Sequence, residues 1–224
     1  TCARCHARRG TFSEDYTPGK PLGDTHRLAL LEEALYECDG QIKDEVYEYG
    51  SFLQSKMYAA GVTCTDCHDP HSLRVVGGND TCAKCHLSTK YDTTDHHRHK
   101  PKTEAAQCVN CHAPTRNYMV VHARHDHSFR VPRPDLTVKT GVRNACNECH
   151  NDQTAQWAAD AAVKWWGPKR AEMPHYGVAL DAARRSLPRA QAGLVKLIDD
   201  PSQPAIVRAT ALDDLTAEAG SPAM

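Results

Sequence analysis

The sequence predicts a mainly α-helical protein with extensive loops and only a small apolar core of its own. Three observations lead to this prediction. Five Cys-x-x-Cys-His motifs divide the first 150 residues, and aromatic residues make up 6% of the 224-residue chain. The mean hydropathy is −0.61. The composition changes after the last motif, so we expect two parts: residues 1–153, which hold all five motifs, and a helical tail, residues 154–224.

The motifs are the most specific feature of the chain. In Cys-x-x-Cys-His, two cysteines can form thioether bonds to a haem, and the histidine that follows can bind its iron. Disulfide frameworks, zinc knuckles and thioredoxin-type sites do not require a histidine after every second cysteine. We therefore predict five covalently bound haem c groups, stacked so that they replace the missing core. The predicted thioether cysteines are Cys2, Cys5, Cys64, Cys67, Cys82, Cys85, Cys108, Cys111, Cys146 and Cys149. The predicted proximal iron ligands are His6, His68, His86, His112 and His150.

Nine histidines lie outside the motifs, and five irons need sixth ligands. Neutral imidazole binds iron well, and six-coordinate haems suit electron transfer because they leave no open site. His71 follows a turn at Pro70, and His127 lies in Asp-His-Ser-Phe-Arg, whose polar residues can orient its ring. The distal candidates are His71, His127, His97, His99, His96, Met57, His26, His175, His122 and His125.

Two sulfur-containing residues have more than one interpretation. Met57 lies seven residues before Cys64 on a predicted helix, where it is either a core residue or an iron ligand that raises the reduction potential of one haem. Cys38 lies outside the motifs. It is expected to be a small buried apolar residue, with a third haem tether or a reactive thiol as alternatives.

Hydrophobic spacing predicts helices over residues 28–35, 44–60 and 154–166, and an extended loop over residues 113–143. In the tail, residues 178–187, 194–198 and 205–215 are expected to be helical. The segment Leu-Val-Lys-Leu-Ile-Asp-Asp-Pro, followed by Pro-Ala-Ile-Val-Arg-Ala-Thr-Ala-Leu, resembles a HEAT-type repeat. One such repeat cannot bury its own apolar face. The tail therefore packs on the haem domain, docks a partner or begins a longer solenoid.

Charge and hydropathy exclude several classes of protein. Lysine and arginine are scattered, so there is no nucleic-acid signature, and no apolar run is long enough for a transmembrane helix. Thioether attachment of haem takes place outside the cytoplasm, which implies a periplasmic or extracellular protein. The sequence contains no signal peptide and begins one residue before a motif cysteine, so we expect that Thr1 is not the natural beginning.

Residues 47–150 resemble bacterial multihaem cytochromes of the doubled-CxxCH kind, which are often fused to tetratricopeptide or HEAT-like repeats. The matching segments include Val-Thr-Cys-Thr-Asp-Cys-His-Asp-Pro-His at 62–71, His-His-Arg-His at 96–99 and Asn-Ala-Cys-Asn-Glu-Cys-His at 144–150. This resemblance implies electron transfer. More distantly, residues 62–68 resemble pentahaem nitrite reductases. Those enzymes carry a lysine in place of the motif histidine at the catalytic haem, whereas all five motifs here end in histidine.

The leading interpretation is a non-enzymatic cytochrome that carries single electrons. Its partners would be redox proteins or identical subunits in an assembly such as a filament. The alternative is an oxidoreductase of the nitrite, hydroxylamine or sulfur-oxyanion type with one open catalytic haem. A third interpretation is an electron-donor subunit held by its tail to a larger complex.

Overall fold

Short helices separated by turns make up the first two thirds of the protein. The computed structural model describes residues 1–72, 74–75 and 77–220, and only the backbone of residues 218–220. The helices of this part are α1 Tyr47–Phe52, α2 Lys56–Ala59, α3 Cys64–Cys67, α4 Asp80–Ala83, α5 Ser88–Tyr91, α6 Thr94–His97, α7 Cys108–His112, α8 Pro134–Thr140 and α9 Ala145–Cys149. Single 3-10 turns are found at Cys2–Arg4, Leu22–Asp24 and Glu104–Ala106.

Two short antiparallel hairpins are found, one beside the predicted helix over residues 28–35 and one inside the predicted loop over residues 113–143. β1 Arg9–Thr11 pairs with β2 His26–Leu28, and β3 Thr115–Tyr118 pairs with β4 His122–His125. The predicted helix over residues 28–35 is wrong, because its first residue lies in β2. The Leu31 backbone N–H then donates to Thr210 Oγ1 over 3.0 Å instead of to a helical carbonyl. The predicted loop over 113–143 contains the second hairpin and α8.

The predicted helix over residues 44–60 is divided into α1 and α2. α1 ends at Phe52, and α2 begins after Ser55. The Ser55 hydroxyl accepts the backbone N–H of Tyr58 over 3.0 Å. A serine that caps its own helix in this way favours a new helix start over continuation of the preceding one.

The longer helices come after the last motif. They are α10 Ala155–Trp166, α11 Lys169–Glu172, α12 Tyr176–Arg184, α13 Ala190–Asp199 and α14 Ala205–Gly220. The helix expected over residues 154–166 is confirmed, with Thr154 as its cap: the Thr154 hydroxyl accepts the N–H of Trp157 over 3.1 Å. The three tail helices are also confirmed as helical segments, with bounds that differ from the predicted ones by several residues.

The main apolar core joins the two ends of the chain. Residues 31–46 contribute Leu31 and Val46, both fully buried, and the tail contributes Leu180, Leu194 and Val207, also fully buried. None of the described residues between 54 and 117 belongs to this core. The tail therefore packs on the N-terminal part of the protein, which is one of the three arrangements expected from its sequence.

Arg184 fastens the tail to the N-terminal segment. Its guanidinium donates to the backbone carbonyls of Tyr36, over 3.0 Å, and of Leu31. Among the described residues, no helix combines the length and apolar character needed to cross a membrane.

Candidate haem sites

Each motif forms a single helical turn that brings its two cysteines and its histidine to one side. In the second motif, the backbone N–H of His68 donates to the carbonyl of Cys64 over 2.9 Å. The same bond, also 2.9 Å long, joins His6 to Cys2, His86 to Cys82 and His150 to Cys146. Asp66 starts the turn of the second motif by accepting the N–H of Thr63 over 2.7 Å. None of the described cysteines forms a disulfide.

Cysteines of consecutive motifs lie beside one another. Burial raises the pKa of Cys64, and the nearby Cys2 of the first motif raises it further. Cys82 lies near the second motif. It also accepts a hydrogen bond from Cys108 of the fourth motif, which lowers the pKa of Cys82 to about 7. Burial and then the thiols of the fifth motif raise the pKa of Cys111 to about 11. The motifs thus follow one another in space as they do in the chain. In a haem-loaded chain these sulfur atoms are thioethers and do not titrate.

Three motif histidines each face a histidine from outside the motifs. The pairs are His68 with His127, His112 with His96, and His150 with His99, with ring centres 6.3, 6.1 and 6.2 Å apart and ring planes within 16°, 15° and 26° of parallel. A metal–nitrogen bond to histidine is about 2.0–2.1 Å long and the nitrogen lies about 1.2 Å from the ring centre, so two rings opposite one another on one metal ion stand about 6.4 Å apart. The three pairs therefore have the dimensions of axial ligand pairs.

Backbone carbonyls orient several of these rings. The acceptor for Nδ1 is Arg130 O for His112, His125 O for His127 and His97 O for His99, at 2.9, 2.9 and 2.5 Å. A carbonyl only accepts, so Nδ1 carries the hydrogen and Nε2 keeps its lone pair for a metal ion. Burial lowers the pKa of His112 and of His127. This favours the neutral ring that metal binding requires.

One short segment supplies rings to two different pairs. His96 lies on α6, and the chain reverses at Arg98, whose φ of 62° is in the left-handed region. His99 follows and faces a different motif. His97 lies between them, and its Nδ1 accepts the N–H of His99 over 3.2 Å. Its proton is therefore on the buried Nε2, which lies 3.9 Å from the carboxylate of Asp92. His97 thus supports His99 and belongs to none of the three pairs.

The first and third motif histidines face no second histidine ring within the ranges that the structure describes. His6 instead places Nδ1 3.0 Å from Oε2 of Glu48, whose other oxygen accepts a hydrogen bond from Arg124 over 3.2 Å. Burial raises the pKa of Glu48, but hydrogen bonds from His6, the backbone and Arg124 outweigh it and lower this pKa. His86 contacts Tyr91 edge-on, with ring centres 5.7 Å apart.

His175 and His125 differ in which ring nitrogen is available. His175 caps α12 by accepting the N–H of Gly177 at Nδ1 over 3.1 Å, so its proton lies on Nε2. Burial lowers the pKa of His175 to about 4. His125 places Nδ1 2.6 Å from the carbonyl of Ala113, which leaves its Nε2 lone pair available.

The remaining candidates lie apart from the three ring pairs. His26 is buried, with Nδ1 2.7 Å from the hydroxyl of the adjacent Thr25. His71 and His122 are exposed, and Met57 is half-buried on α2. Cys38 is 6% exposed in the apolar core. Its burial raises the pKa of its thiol to about 11, so its thiolate, the reactive form, is disfavoured.

Two groups that support the motif histidines were not singled out as partners from the sequence. One is Glu48, whose spacing of 42 residues from His6 gives no local signal. The other is Asp39, which with Asp126 flanks the buried guanidinium of Arg130 at 3.5 and 3.6 Å. The carbonyl of Arg130 orients His112, so this ion-pair cluster fixes the loop that holds a motif histidine. The described residues contain no group of three or more His, Cys, Asp or Glu side chains arranged around a common metal position.

A comparison with solved structures identifies the fold. The crystal structure of the outer cell wall cytochrome OcwA matches with a TM-score of 0.56 and 15% sequence identity, over 96% of this chain and 62% of that one. This chain therefore shares the fold of the matching part of that protein. The predicted fold class, mainly α-helical with extensive loops, is confirmed. This chain spans less than two thirds of the length of OcwA. No protein-family model and no curated protein matches the sequence.

Proposed function

We propose that this protein is a multihaem c-type cytochrome that carries single electrons along five covalently bound haem c groups. The observation that carries this proposal is the set of three histidine pairs, each joining a motif histidine to a distant one at the separation expected for a shared iron. Haem iron supplies a one-electron Fe(III)/Fe(II) couple when it is bound. The role of the protein is to attach, orient and space the haems.

The pairs give the proposed axial ligands of three irons: His68 with His127, His112 with His96, and His150 with His99. For the irons bound by His6 and His86, the proposed sixth ligands come from the candidates still available, namely Met57, His26, His71, His122 and His125. We propose that His97 and His175 support neighbouring backbone instead of binding iron, because each accepts a backbone N–H at Nδ1 and holds its proton on Nε2.

The order of the motifs supports a continuous path for electrons. Cysteines of consecutive motifs interact electrostatically, which indicates that the motifs lie near one another, and this would bring the edges of consecutive haems close together. Covalent tethers hold those edges in place. We infer a linear series from the first motif to the fifth, with the first close to solvent, since the His6 side chain is 58% exposed.

Haem content and redox behaviour test this proposal together. The protein, produced in a host that attaches haem c, should show a Soret band and a mass increase of five haems. A spectroelectrochemical titration should show reversible one-electron steps for each. A protein of bare polypeptide mass without Soret absorbance would refute the proposal, and so would haems that cannot be reduced.

A second candidate function is reduction of nitrite, hydroxylamine or a sulfur oxyanion at one open haem. It is favoured by His6 and His86, which face no second histidine ring among the described residues. Electron paramagnetic resonance (EPR) distinguishes the two functions. Low-spin ferric signals alone support electron transfer, whereas a high-spin signal that shifts on addition of nitrite or sulfite supports catalysis.

The proposed location is the periplasm or the cell exterior, where haem c is attached. The proposed partners are redox proteins or further copies of this chain. OcwA is described as an outer cell wall cytochrome, and its fold similarity is compatible with this location.

A further inference from the structure

The Nδ1 atom of the first motif histidine lies against a charged acceptor, whereas that of the fourth motif histidine, His112, lies against a neutral one. The Nδ1 atoms of His112, His127 and His99 donate to neutral backbone carbonyls. The Nδ1 of His6 instead faces the carboxylate of Glu48 at 3.0 Å. A carboxylate that accepts from the outer nitrogen of a metal-bound histidine makes the inner nitrogen a stronger electron donor.

The His6–Glu48 contact is held at several points. The backbone N–H of Tyr49 donates to the carbonyl of His6 over 2.9 Å, which fixes the motif against α1. Arg124 on β4 holds the second oxygen of Glu48 at 3.2 Å and lies over the ring of Tyr118. The Glu48 side chain is 22% exposed, so water competes with these bonds less than it does at the surface.

The backbone before Glu48 also adopts an uncommon conformation. Tyr47, the first residue of α1, has a φ of 60°. A left-handed conformation costs a residue with a side chain roughly 1–2 kcal/mol. Backbone strain of this kind clusters at functional sites such as ligand clamps. Here the next residue is the one that reaches His6.

We propose that Glu48 is a positioning residue that strengthens the donor character of His6 and thereby lowers the reduction potential of the haem on the first motif. This inference rests on the proposed function, because it requires iron bound to His6. The stronger donor stabilises Fe(III), the more positive oxidation state, relative to Fe(II). The first haem then becomes a low-potential end of the series and releases its electron readily to the next haem.

The test compares Glu48→Gln with Glu45→Gln in the full haem-loaded protein. In Glu48→Gln the introduced side-chain amide can still accept from His6 but carries no charge. Glu45 lies on the same segment, and its carboxylate accepts the N–H of Met119 over 2.9 Å, so it is a matched carboxylate without a motif histidine. Both variants are first checked for five haems and an unchanged melting curve. Midpoint potentials and ferric EPR g values are then measured.

Glu48→Gln should shift the equilibrium of one haem at least tenfold towards Fe(II), which is about 59 mV for one electron. The g values of one haem should change with it, because they respond to the donor strength of the axial imidazole. Glu45→Gln should leave both unchanged. Three results would each overturn this inference without affecting the proposed function. They are unchanged potentials in Glu48→Gln, equal shifts in the two variants, and a potential shift without a change in g values. A wild-type protein without haem would overturn the proposed function as well.

If Glu48→Gln does not fold, Arg124→Gln is measured. The opposite shift, to a lower potential with altered g values, supports the inference, and no shift overturns it.

Discussion

Replacing His127 by alanine tests whether the histidine pairs are axial ligands. The His127 ring lies 6.3 Å from that of His68, and Phe129 packs edge-on against it with ring centres 5.5 Å apart. If the two histidines bind one iron, His127→Ala removes one of its two axial ligands and makes that haem five-coordinate. One haem in five should then become high-spin, so the low-spin ferric EPR intensity should fall by about one fifth.

The space left by the missing ring provides an internal check. Imidazole added to His127→Ala should enter it and restore the low-spin signal. The variant also leaves the carbonyl of His125 without its hydrogen bond, which costs about 1 kcal/mol of stability and should lower the melting temperature by a few degrees. Val121→Ala is the matched control, because Val121 is 76% exposed in the same hairpin region and has no atom that can bind iron.

Two results would refute this reasoning. An unchanged low-spin intensity in His127→Ala would show that His127 does not bind iron. An equal loss in Val121→Ala would show that the loss reports a general disturbance of the β3–β4 region.

Three further predictions concern the tail, a buried histidine and a methionine. Leu180→Ala should destabilise the protein by about 3–5 kcal/mol, because Leu180 is fully buried in the main apolar core. Thermal melts measure this loss. They should show little change for the control Val178→Ala, because Val178 is 44% exposed. Burial lowers the pKa of His175 from 6.5 to about 4, so the stability it contributes is present above pH 6.5 and is lost as the pH falls towards 4. His175→Asn keeps an acceptor that can cap α12. It should flatten the dependence of the melting temperature on pH between 4 and 6.5 and leave the visible spectrum unchanged. An unaltered pH dependence would contradict the role of His175 in this loss of stability. Met57→Ala should lower the midpoint potential of one haem or make it high-spin, and an unchanged redox titration would exclude Met57 as a ligand.

The motifs themselves are recognisable from sequence because their cysteines and histidine lie within five positions of one another, and their haem chemistry stays a prediction. The helical tail was predictable for a similar reason, since apolar residues recur there at helical spacing. The partners of the motif histidines were not. His96 and His99 face different motifs because the chain reverses at Arg98, and nothing in His-His-Arg-His requires a left-handed arginine.

Tertiary contacts also overrode local helical patterns. Residues 28–35 have the spacing of a helix, but the N–H of Leu31 is taken by Thr210, which lies 179 residues away. Glu48 likewise reaches His6 across 42 residues. Contacts of this range leave no periodic signal, so sequence reasoning finds the motif histidines but not the groups that orient them.

The location of the apolar core has a consequence for how the protein matures. The core is built from residues of the N-terminal segment, of residues 118–142 and of the helical tail, and none of its members among the described residues lies between 54 and 117. The second, third and fourth motifs therefore lie in a long segment outside the core. The chain on either side of this segment packs into the core. If the proposed function is correct, the core can assemble before the haems of these motifs are attached, because none of its described side chains lies in this segment. Under the proposed function, the haems of these three motifs would replace the apolar side chains that this segment does not provide.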